Sequence, residues 1–118
     1  MIPSRFKMPK NSKLDPKALD KIANFFKVFA EPTRLSILQE LRDGPVSVND
    51  LVEVLPTSQA NISKQLKTIY EADLLERNQK GNQVFYSISE PLVFELCELV
   101  CDKLNRSAKA ESEIVFDI

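Results

Sequence analysis

Two stretches of this 118-residue chain carry side chains whose types and spacing could do chemistry. Cys97 and Cys101 are four residues apart, which on a helix puts two sulfurs on one side one turn apart, where two thiolates could share trivalent arsenic or antimony. A disulfide between them would strain an intact helix. The same spacing also suits two small apolar core residues, the usual place of a free cysteine, and both readings stand at this point. The second stretch is Ser58-Gln59-Ala60-Asn61-Ile62-Ser63-Lys64-Gln65-Leu66-Lys67. Gln59 and Asn61 offer the paired donor and acceptor that fit adenine in a major groove. Ser58 and Ser63 can reach phosphate or base, Lys64 and Lys67 bring charge, and Ala60 leaves room for a thymine methyl. The plainer reading is the solvated face of an amphipathic helix.

Composition removes most other chemistry. With no histidine, Ser-His-Asp hydrolysis, Cys-His catalysis and His-ligated zinc are excluded. No glycine-rich phosphate loop or cluster of ligating residues replaces them, so neither an enzyme nor a metal site is expected, and no cofactor beyond the metalloid or thiol chemistry of Cys97 and Cys101. Two cysteines make no disulfide framework, and no apolar run reaches membrane-spanning length; a cytoplasmic protein without a membrane partner is expected.

The elements that must position these side chains follow from patterning. Asp15-Pro16 opens a helix with Leu19, Ile22, Phe26 and Phe29 on one face, ending near Ala30. Glu31-Pro32-Thr33 starts a second, stopped by Gly44-Pro45. Ser47 caps a third that Pro56 closes, and Thr57 caps a fourth whose Ile62, Leu66 and Ile69 share the buried face. A hairpin turning at Gln79-Lys80-Gly81-Asn82 follows, with Arg77 and Lys80 available to phosphates, and a fifth helix spans 90–106. Helix, tight turn, helix and hairpin is the order of a winged helix-turn-helix: mainly α, about five helices and a two-stranded wing. On the fifth helix Leu96, Val100, Val93, Leu104, Cys97, Cys101 and Phe94 cover more arc than one core needs, which predicts a homodimer through helices 15–30 and 90–106.

The net charge of −1 averages over segregated segments. Residues 1–14 hold four basic and no acidic residues, and read as a mobile basic arm; residues 57–70 hold Lys64 and Lys67 and no acid. Residues 107–118 read as an acidic tail, disordered unless Ile114-Val115-Phe116 docks on a partner. That alternative would make the domain at 15–106 a protein-interaction module; the expected partner otherwise is a double-stranded DNA operator.

Val28-Phe29-Ala30-Glu31-Pro32-Thr33-Arg34-Leu35-Ser36-Ile37-Leu38 resembles the second-helix signature of the arsenic-repressor (ArsR/SmtB) family. Residues 58–67 resemble its recognition helix, and Ala72-Asp73-Leu74-Leu75 with Lys80-Gly81-Asn82-Gln83-Val84-Phe85-Tyr86-Ser87-Ile88 its wing; the likeness spans about residues 20–104. It implies a homodimeric repressor that binds an inverted repeat and releases it when an inducer binds or a thiol is modified. The family's metal sensors use a Cys-x-Cys at the third helix or a carboxylate/His site on the fifth. Here Ser47 and Asn49 stand at the first place, and Glu90, Leu92, Lys103 and Arg106 at the second, so sensing of zinc, nickel or cobalt there is not expected.

Overall fold

The computed structural model describes residues 13–108 and 114–118, so nearly all of the expected basic arm lies outside the described residues. Helix α1 (Pro16–Val28) begins where the Asp15 carboxylate accepts the N–H of Lys17 at 2.8 Å. It stops short of Ala30 because the chain turns to begin α2 (Pro32–Glu40), whose free N–H groups of Thr33 and Arg34 donate to the Glu31 carboxylate at 2.9 and 3.1 Å.

Those bonds, the Thr33 backbone N–H above all, hold the Glu31 carboxyl below the usual carboxylate range. The ionised cap therefore stabilises α2 fully at neutral pH, and the contribution disappears as pH falls through the lowered pKa. A Glu31→Gln variant is expected to be less stable at neutral pH and to lose less stability on acidification. Denaturant melts between neutral pH and pH ~3 check this, and parallel curves for the two proteins would refute it.

After the turn at Gly44, the extended pair β1 (Val46–Ser47) leads into α3 (Val48–Val54), capped by the Ser47 hydroxyl, which accepts the N–H of Asp50 at 3.0 Å. Helix α4 (Gln59–Glu71) is capped by Ser58, whose hydroxyl accepts the N–H of Asn61 at 3.1 Å, and not by Thr57 as expected. The Thr57 N–H is held by the Leu55 carbonyl at 2.9 Å, so Thr57 belongs to the turn and the helix starts one residue later. The left-handed backbone of Asp73 (φ 64°) ends it.

Strands β2 (Leu75–Lys80) and β3 (Gln83–Ile88) form the wing, joined at Gly81, whose φ of 64° suits the first position of a two-residue hairpin turn. The wing is not two-stranded as expected: β1 pairs antiparallel with β3, Val46 opposite Tyr86 and Ser47 opposite Phe85, giving the order β1-β3-β2. Two residues are too few to show an alternating pattern, so this strand exists only through its pairing. It ties the start of α3 to the wing.

Ile37 and Leu38 of α2, Leu41 at its C-cap, Leu51 of α3, and Ile62, Leu66 and Ile69 of α4 form one buried cluster with Leu74, Leu75 and Val93. Helix α5 (Leu92–Ala108) is displaced from the expected 90–106 because the Glu90 carboxylate accepts the Leu92 N–H at 2.9 Å, leaving Pro91 ahead of the first turn.

The end of the expected tail is a further correction. Asn105 grips the Phe116 backbone at both ends, Nδ2 donating to its carbonyl at 2.9 Å and Oδ1 accepting its N–H at 2.8 Å. Arg42 lies 3.5 Å from the Asp117 carboxylate, and Ile118 packs on the core. Phe116 and Ile118 turn inward while Val115 and Asp117 face out, the period of two of an extended segment laid on a surface. This strap lies over its own chain.

Candidate nucleic-acid interface

At about 100° per residue, Gln59, Ala60, Ser63, Lys64 and Lys67 fall within one broad arc of α4, and all five are exposed. Ile62, Gln65, Leu66 and Ile69 occupy the opposite, buried arc. Gln59 and Ser63 line a groove of about 300 Å³ with Asn49 of α3, Arg77 of β2, and Asn82 and Gln83 of the wing turn. Asn49, Asn82 and Gln83 reach this groove through tertiary contacts, α3 packing on α4 through Leu51 and the pairing of β1 with β3 bringing the wing up to α3. Their signal in the sequence was short polar residues at an exposed helix start and a hairpin turn.

Lys64 and Lys67 stand along α4 beyond that groove, and Lys80 is near the wing tip with its Nζ 5.6 Å from the centroid of the Phe85 ring. Both ion pairs among the described residues belong to Arg42, so Lys64, Lys67, Arg77 and Lys80 have no carboxylate partner. Four cations without a carboxylate partner stand in or around a groove that Val48, Val84 and Tyr86 also line, an arrangement suited to a polyanion whose backbone runs past while an edge is read inside.

Asn61 is not a free reading residue. It sits at the boundary of the exposed arc, half-buried, with Nδ2 donating to Thr57 Oγ1 at 3.0 Å and Oδ1 accepting from Gln65 Nε2 at 3.1 Å. Each end of its amide is engaged once, so a contact to adenine would have only its second N–H and second lone pair to use. The Ser58 hydroxyl serves as the helix cap and keeps its proton and one lone pair for a ligand.

Cys97 is buried and Cys101 half-buried, and both line an apolar groove of about 530 Å³ between α1, α5 and the strap. Burial, then the neighbouring Cys101, pushes the Cys97 thiol above its ordinary pKa, which disfavours the reactive thiolate. Asp117 and Ile118 of the strap line the same two grooves as Cys97, and Ile118 packs on the buried cluster to which Cys97 belongs. Removing residues 114–118 in a Cys101→Ser background is expected to accelerate alkylation of Cys97 by N-ethylmaleimide roughly tenfold, by admitting water and reagent. An unchanged rate would show that the strap does not shield it.

Residues 29–78 match a family model for a helix-turn-helix domain. Over 85 residues the chain is 33% identical to the HTH-type transcriptional regulator NmtR of Mycobacterium tuberculosis, covering 72% of this chain and 71% of that one. The chain belongs to the ArsR/SmtB family of winged helix-turn-helix transcriptional regulators. Among solved ArsR/SmtB-like structures, HlyU from Vibrio cholerae superposes with a TM-score of 0.64 at 30% identity, covering 80% of this chain and 98% of that one. The antimony-specific transcriptional repressor AntR does so with a TM-score of 0.68 at 27% identity, covering 83% and 90%. The family consists of regulators, not enzymes, and no helix among the described residues is long and apolar enough to cross a membrane.

Proposed function

We propose that the protein is a sequence-specific transcriptional repressor that binds an inverted-repeat operator as a homodimer. One α4 enters the major groove of each half-site, and the wing bearing Arg77 and Lys80 meets the flanking backbone. The observation that carries this reading is the exposed, acid-free arc of α4 set beside a wing whose cations have no carboxylate partner. The dimer is supported by apolar surface left uncovered on both outer helices, Leu19 and Phe26 at 53% and 55% exposure on α1 and Leu99 and Val100 at 67% and 49% on α5. With two-fold symmetry the paired helices would meet successive major grooves roughly 34–36 Å apart.

Mobility shifts with fragments of the source genome, run beside light-scattering mass measurement of the complex, test it. Selective retention of a few fragments by a dimer is expected; uniform retention of all fragments, or a bound monomer, overturns it.

A second reading concerns the release signal. Cys97 and Cys101 share one groove, and two thiolates there would supply two ligands to As(III) or Sb(III) once the Cys97 proton is displaced. If they sense a metalloid or oxidant, a Cys97→Ser, Cys101→Ser protein keeps its DNA when arsenite, antimonite or a thiol oxidant is added. Release identical to that of the unaltered protein would sink this reading.

A further inference from the structure

Gln65 lies on the buried stripe of α4, 8% exposed, beside Ile62, Leu66 and Ile69. A buried amide is costly unless each end is satisfied, and both ends are. Its Oε1 accepts from Arg34 Nη1 at 2.7 Å, and its Nε2 donates to Asn61 Oδ1 at 3.1 Å. On the far side Arg34 donates through Nε to the Val28 carbonyl and through Nη2 to the Lys27 carbonyl, each at 2.7 Å. On the near side Asn61 Nδ2 donates to Thr57 Oγ1 at 3.0 Å. An unbroken polar chain thus runs from the last turn of α1 through α2 to the residues that open α4.

The apolar contacts that hold α4 on the core are non-directional and tolerate small rotations about its axis. Hydrogen bonds have narrow windows of length and angle and do not. A rotation of about 10° moves a side-chain tip at the helix surface by about 1 Å, enough to break a base-edge hydrogen bond from Gln59 while leaving screened attraction between lysines and phosphates nearly unchanged.

We infer that Gln65, held by Arg34, is a positioning residue that sets the rotation of the recognition helix, and with it the discrimination between operator and non-operator DNA. The inference rests on the DNA-binding reading above. Replacing the buried amide with an apolar side chain of similar size keeps the core filled but takes the partner from Arg34 Nη1 and Asn61 Oδ1, so the directional constraint is lost at some cost in stability. Gln65→Glu preserves the chain: its carboxylate accepts from Arg34 and from a turned Asn61 amide, whose Oδ1 then accepts the Thr57 hydroxyl proton.

The test uses duplexes selected from a random 30-base-pair pool by the unaltered protein, and the unselected pool, with affinities measured by fluorescence anisotropy over a range of salt. For Gln65→Leu the ratio of selected to unselected affinity should fall about tenfold or more, with unselected affinity and salt slope unchanged within twofold. Gln65→Glu should keep the ratio within about 1.5-fold. A folded Gln65→Leu protein with an unchanged ratio, or a Gln65→Glu protein as defective as Gln65→Leu, overturns the inference. Should Gln65→Leu not fold, Thr57→Val at the half-buried end of the chain replaces it: a ratio reduced about threefold supports the inference, and an unchanged one overturns it. An unaltered protein that selects no sequence overturns the DNA-binding reading together with this inference, whereas a selective one with indifferent variants overturns the inference alone.

Discussion

Replacing Lys64 and Lys67 together by alanine should weaken operator binding at physiological salt by on the order of 10²–10³ while leaving the thermal midpoint almost unchanged. Both ammonium groups are exposed and have no carboxylate partner, so their loss removes no packing and breaks no ion pair. On DNA each phosphate contact contributes about 0.9 to the slope of log K against log salt, or about 3.6 for the four lysines of a dimer. At ~0.15 M salt that corresponds to roughly fivefold in affinity per contact, and on the order of 10²–10³ in all. Gln59→Ala provides the contrast: its salt slope should be unchanged and its preference among base substitutions relaxed at one position per half-site. Anisotropy titrations at several salt concentrations separate the two effects. A double lysine variant that kept its slope would place the DNA on another face of the molecule.

Arg34→Ala should be the most destabilising change to a side chain outside the apolar core. The guanidinium donates three hydrogen bonds of 2.7 Å, to the carbonyls of Val28 and Lys27 and to Gln65 Oε1, and so serves three helices at once. Its removal strips the last carbonyls of α1 of a charged donor and leaves the buried Gln65 amide half-satisfied. The edge of this cluster is solvent-exposed, which reduces the loss to about 2–3 kcal/mol, or roughly 10–20 °C in thermal midpoint for a domain of this size. Arg34→Lys should recover little, because one ammonium group cannot span three acceptors arranged around a planar fork. Scanning calorimetry at fixed protein concentration checks both variants, since the midpoint of a dimer depends on concentration. A fall below roughly 5 °C for Arg34→Ala would mean that water replaces the guanidinium without penalty.

Much of the architecture was legible because it depends on neighbours in sequence. Asp15, Glu31 and Ser47 each accept an N–H two or three residues ahead, so residue type and spacing suffice to locate three helix starts. Ile62, Leu66 and Ile69 fall on one face of any helix drawn through them, and the polar arc opposite follows from the same geometry. Thr57 and Ser58 show the limit of this reasoning. Both can cap a helix, but Ser58 accepts the Asn61 N–H while the Thr57 hydroxyl accepts from the Asn61 side chain instead.

The sequence by itself determined the helix-turn-helix order, the identity of the exposed basic arc and the absence of any histidine-based chemistry, all of which follow from local periodicity and composition. Only the tertiary structure decided which residues share a groove or a hydrogen bond across long stretches of chain. It gave Arg34 its partner at Gln65, tied the Asn61 amide to Thr57 and Gln65, paired Val46–Ser47 with β3 and laid Phe116 against Asn105. The physical reason is directionality: burial can be read from a repeating pattern, whereas a hydrogen bond between distant residues exists only once two backbones have come within about 3 Å at the right angle.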